Sequence, residues 1–73
     1  MFAFDKQLKI FKALSDKKIS VAQTGNCYFQ LYIDDKLITE GDDESIEVRI
    51  KQINRENGYL DIASTMSDEE LGL

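Results

Sequence analysis

The sequence predicts an α+β fold: a short amphipathic N-terminal helix followed by an antiparallel meander of four or five strands, either an open sheet or a small barrel. Three observations predict it. Apolar residues recur at helical spacing at the start of the chain, a period of two takes over from residue 19, and short turns rich in Asp, Asn and Gly cut the remainder into hairpin-sized pieces. The chain has 73 residues, 42% of them apolar. That suits one core and a single small domain spanning 1–73. A core of this size supplies only about 3–5 kcal/mol of net stability, so a partner subunit or target has room to add to it.

The first element, about 4–15, follows from Phe4, Leu8 and Phe11 at i, i+4 and i+7, with Leu14 near the next turn and Lys6, Lys9 and Lys12 on other faces. Asp5 is its N-cap or first-turn acid, and Ser15-Asp16-Lys17-Lys18 interrupts the apolar stripe. A strand at about 19–23 opens on Ile19-Ser20-Val21, and Thr24-Gly25-Asn26 is a turn. Aromatic and branched residues make about 27–33 the second strand, Asp34-Asp35-Lys36 a tight turn, and 37–40 the third strand. Residues 44–54 admit two readings. Ile46, Ile50 and Ile53 fit a helix capped by Asp42 or Asp43, whereas Ile46, Val48 and Ile50 alternate with Glu47, Arg49 and Lys51 as in a strand. The strand, at about 45–53, is preferred because its apolar positions are all branched. Tyr59-Leu60-Asp61-Ile62 then alternates as a partner strand at 59–63, and 65–73 reads as a frayed acidic tail. Alternation turns Phe29, Leu31, Ile33, Ile46, Val48, Ile50, Leu60 and Ile62 inward. Tyr28, Gln30, Tyr32, Glu47, Arg49, Lys51, Tyr59 and Asp61 then face outward.

The composition excludes several chemistries. There is no His, so neither a Ser-His-Asp nor a Cys-His arrangement exists. A single cysteine, Cys27, allows no internal disulfide, and one thiol among carboxylates is a poor zinc site. Cys27 reads as a small packed residue at a strand start. No metal or cofactor is expected: the acidic turns lack the alternating spacing and central glycine of an EF-hand loop. The longest apolar run falls far short of the ~20 residues that span a bilayer. Phe2 to Phe4 is too short, and Asp5 too close behind it, for a signal peptide, so a cytoplasmic location is expected.

Charge is divided along the chain. Residues 1–33 hold five Lys against two Asp, a net +3, and residues 34–73 hold four Lys and Arg against twelve Asp and Glu, a net −8. Six of those carboxylates, Asp34, Asp35, Glu40, Asp42, Asp43 and Glu44, fall within eleven residues at two turns flanking one short strand. Held along a sheet edge, such an array presents charge as a phosphate backbone does and suits a basic groove on a larger nucleic-acid-binding protein. Small acidic inhibitors encoded by phages resemble this chain in size and charge. The leading expectation is therefore a non-enzymatic interaction protein that acts by occupation, as a DNA mimic. No membrane association or direct DNA binding is expected. Met1, Phe2 and Phe4 exceed what the helix buries and would be the patch for a homodimer.

A second set of residues points elsewhere. Tyr28, Tyr32 and Tyr59 on one sheet face with Arg49 and Lys51 would offer rings for base stacking and cations for phosphates. Gly41-Asp42-Asp43, the alternating Ile46-Glu47-Val48-Arg49-Ile50, and Asn54-Arg55-Glu56-Asn57-Gly58-Tyr59-Leu60-Asp61-Ile62 look like the closing hairpin of S1-type RNA-binding OB domains. The resemblance covers about a third of the chain and implies a single-stranded RNA-binding module. The family's glycine-rich first hairpin and the long connection before its fourth strand have no counterpart here.

Overall fold

The computed structural model describes residues 2–72. Its elements are α1 (Asp5–Leu14), β1 (Ile19–Gln23), β2 (Phe29–Ile33), β3 (Lys36–Gly41), α2 (Asp43–Glu56), α3 (Tyr59–Ala63) and α4 (Asp68–Leu71). The fold is α+β, with an N-terminal helix and then an open three-stranded antiparallel sheet in the order β1-β2-β3. Ile19 faces Ile33 and Val21 faces Leu31 across β1 and β2 in unbroken register. Between β2 and β3 the turn is Asp34-Asp35, both left-handed at φ 52° and 67°. This two-residue geometry matches the twist of the flanking strands. The β2–β3 register shifts beside Leu31 and Tyr32, so Ile38 has no direct partner and leans into the core.

Helices cover one face of the sheet. Phe4, Phe11, Ile19, Phe29, Leu31, Ile46 and Ile50 form the main core. Phe4 stacks against Phe2 at 5.3 Å and meets Phe29 edge-on. A smaller cluster of Ile10, Ala63 and Leu71 joins α1 to α3 and α4. The opposite face, carrying Ser20, Ala22, Gln30, Tyr32 and Leu37, has no covering element among the described residues.

The fourth and fifth expected strands are helices. Residues 43–56 form α2: the Asp42 carboxylate accepts the Ser45 N–H at 2.9 Å, and Asp43 and Glu44 occupy the first turn. That capped start, together with fourteen residues free of breakers, outweighs the β-preference of three branched side chains. Ile46 and Ile50 are fully buried one turn apart, while Val48, expected inside, is 65% exposed. Gly58, left-handed at φ 74°, follows the Asn57 cap and reverses the chain into α3. There Tyr59 turns in against Phe11 at 6.1 Å, and Ile62, expected inside, is largely exposed. The hairpin on which the S1 resemblance rests is therefore replaced by a helix pair.

Three smaller expectations change as well. The acidic tail is ordered by α4, whose Ser67 caps Glu70 and whose Leu71 is buried. Phe4 belongs to the core and Phe2 alone of the proposed patch is exposed, Met1 lying outside the described residues. Cys27 is exposed in the β1–β2 connection.

Candidate functional site

The six carboxylates divide between the two ends of β3. At the hairpin end, Asp34 accepts the Lys18 N–H at 3.1 Å and Asp35 pairs with the Lys18 ammonium at 3.5 Å. Both members of that ion pair are well exposed, so its contribution is small. Six extended residues put the second group roughly 20 Å away. It consists of Glu40, Asp42, Asp43 and Glu44, where β3 hands over to α2.

The handover and its neighbours fix three of these four side chains. Gly41 has φ 155°, and a Cβ there would stand 2.9 Å from that of Ser45, so only glycine lets the strand turn this tightly into the helix. Asp42 then caps α2, and the hydrogen bonds from Ser45 hold its carboxyl below the usual carboxylate range. Asp43 accepts the Ala3 N–H at 3.3 Å, which ties the N-terminal segment to the same corner. Glu40 accepts the Tyr28 hydroxyl at 2.8 Å and the Gln30 amide at 3.3 Å. Among the described residues no Lys or Arg pairs with any of these four carboxylates. The corner is therefore a largely preorganised patch of negative charge without an ion pair. A shallow groove of about 460 Å³ runs from it along α2 between Thr39, Val48, Arg49 and Gln52. Arg49 is the cation that lines this groove beside Asp42 and Glu44.

The tyrosine set is dispersed. Tyr28 and Tyr32 lie on the open side of the sheet, linked through Gln30: the Tyr32 hydroxyl donates to Gln30 Oε1 at 2.8 Å. Tyr28's hydroxyl is held protonated to higher pH than usual, first by its bond to Glu40, with burial and the Glu40 charge adding to it. Arg49 and Lys51 are on α2, across the core from that face, and Arg49 donates to Gln52 at 2.9 Å. Tyr59 is in the helical layer. Two rings thus share a surface with a carboxylate and with neither of the expected cations.

The Tyr28–Glu40 link was not read from the sequence. It is a diagonal contact, since Glu40 faces Gln30 and Tyr28 stands two residues before Gln30, and it needs the β2–β3 register to be seen. Among the described residues no three of His, Cys, Asp and Glu gather in a way that would hold a metal ion, and no helix is long and apolar enough to cross a membrane. No protein-family model matches the chain, and no curated protein or solved structure is similar to it at a meaningful level.

Proposed function

We propose that this chain is a non-enzymatic interaction protein that presents the β3–α2 corner to a basic, nucleic-acid-binding surface on a larger protein. It would occupy that surface as a DNA mimic, in the manner of phage-encoded inhibitors of similar size and charge. One observation carries the reading. Glu40, Asp42, Asp43 and Glu44 sit together at the handover from β3 to α2, Glu40 toward the open side of the sheet and the others at the start of the helix. Three of them are fixed by hydrogen bonds, with no cation of the chain paired to them among the described residues. Carboxylates already held in place lose little side-chain freedom on binding, and their summed field draws a basic partner in quickly. Asp34 and Asp35 sit apart and would serve as a second contact, matched to a partner whose basic surface extends along β3.

The test uses the immobilised protein and a nuclease-treated bacterial lysate. A basic nucleic-acid-binding protein should be retained at low salt and displaced both by high salt and by excess duplex DNA. Charge reversal at Glu40 and Glu44, which leaves the Asp42 cap intact, should weaken its retention at least tenfold. Retention that survives duplex DNA and both reversals would sink the mimic reading. Recovery of RNA in place of protein would favour the tyrosine face.

A further inference from the structure

The two edges of the sheet are protected unequally. An edge strand offers unpaired backbone N–H and C=O groups, and natural sheets blunt such edges with charges, bulges or covering elements. β3 carries Lys36 and Glu40, its pairing with β2 is interrupted by the bulge, and three carboxylates follow it directly. β1 is protected less: Lys17 and Lys18 precede it, but the strand itself carries no charge and no bulge. Ile19-Ser20-Val21-Ala22-Gln23 contains no charge and no proline, and all five residues pair with β2 without interruption.

Alongside β1 lies a groove of about 430 Å³, bounded by α1 and lined on its apolar part by Phe2, Phe4, Leu8, Val21 and Phe29. Phe2 leaves 43% of its surface uncovered. Only two charged side chains line the groove, Asp5 and Lys12, two helical turns apart. Phe4 meets Phe29, which pairs with Gln23, so the start of α1 lies over the end of β1. The short connection after Leu14 returns the chain to Ile19 beside Lys12. Asp5 therefore marks the Gln23 end of the groove, Lys12 marks the Ile19 end, and Leu8 lies between them.

We propose that β1 is the pairing edge for a second copy of this chain. The two β1 strands join antiparallel about a twofold axis near Val21 and continue the sheet to six strands. A twofold interface must be self-complementary, and this groove is. Antiparallel pairing reverses the second copy, so Asp5 of each protomer faces Lys12 of the other while the Leu8 side chains meet near the axis. The N–H and C=O groups left open on β1 are satisfied, and the exposed side of Phe2 is covered. The arrangement also places the acidic corners at the two outer ends of the six-stranded sheet. Each is two strand spacings, roughly 10 Å, farther from the axis than β1, so the like charges of the two protomers stay apart and both corners remain free to bind. The proposal does not depend on what those corners bind.

Sedimentation velocity from micromolar to millimolar concentrations tests it. A monomer–dimer equilibrium is expected for the wild type. Lys12→Glu and Asp5→Lys each set like charges opposite one another and should weaken the dimer about tenfold. The double variant, which restores opposite charges with the signs exchanged, should return to within about threefold of wild type. The Asp5 carboxylate also accepts the Phe2 N–H at 2.9 Å, so circular dichroism is recorded for each variant. Hydrogen exchange at Val21 and Gln23, whose N–H groups face away from β2, supplies a measurement that needs no substitution, and it should slow as protein concentration rises. A monomer at every concentration, a dimer indifferent to both single reversals, or β1 exchange independent of concentration would each overturn the proposal.

Discussion

Asn54 is wholly buried between α1 and α2, and its side-chain amide is only half satisfied. Its Nδ2 donates to the Gln7 carbonyl oxygen at 3.1 Å and to Gln7 Oε1 at 3.0 Å, while its Oδ1 has no partner. The orientation follows from the partners, because turning the amide over would set its oxygen against two other oxygens. An orphaned acceptor costs about 1–3 kcal/mol, which the two donated bonds offset in fastening the helices together. Asn54→Asp removes both donors and leaves a carboxylate facing two acceptors in a dry site. The expected loss is about 3 kcal/mol or more at neutral pH, close to the whole stability of so small a domain. Burial raises the new carboxyl's pKa in the folded state above its unfolded value. The penalty is thus complete above the folded pKa and fades as pH falls toward the unfolded one. Urea denaturation of the variant against wild type at pH 7 and pH 5 should show the deficit narrowing at the lower pH. A deficit of equal size at both values would mean that the site is wetter than its burial implies.

At the scale of elements, α2 carries the main lesson about legibility. Its signals were all present in the sequence: Asp42 three residues before Ser45, Ile46, Ile50 and Ile53 at helical spacing, and Asn57-Gly58 as a stop. They competed with the alternation of Ile46, Val48 and Ile50, and a window that short cannot tell periods of 2 and 3.6 apart by its apolar residues alone. The N-terminal helix and the antiparallel strands were legible because one period dominated in each. For the candidate site, the density of acids over 34–44 could be counted from the sequence. Two things required the fold: β3's length separates Asp34 and Asp35 from the rest, and Asp42 does a cap's work. Two substitutions read the helix directly. Ile50→Ala should cost about 2–5 kcal/mol, since the side chain is fully buried. Val48→Ala, at a position mostly in solvent, should stay within about 0.5 kcal/mol. Chemical denaturation of the pair checks this, and equal losses would restore the strand.

The whole molecule has two cores of unequal size; α1 gives buried residues to both, and Tyr59 of α3 packs against both. The smaller one holds α3 and α4 through Leu71, with the Lys9 ammonium donating to the Gly72 carbonyl at 3.2 Å. Short helices held by a few contacts open before the sheet does. Leu71→Ala should remove about 2 kcal/mol from that unit. Amides of α3 and α4 should then exchange roughly 30-fold faster while those of β2 and α2 change little. A uniform acceleration across the chain would mean that the two cores melt as one. The Gln7–Asn54 bonds have a consequence of a different kind, for the order of events during folding. They join residues 47 apart in sequence, whereas the β2–β3 hairpin and the step from β3 into α2 involve neighbours. Closing a long loop gives up more chain freedom than closing a short one, so the β2–β3 hairpin and α2 are expected to form before the Gln7–Asn54 bonds close. On that order the release of Gln7 from Asn54 belongs to the early part of unfolding, and a variant that weakens the pair is expected to unfold faster with little change in its folding rate.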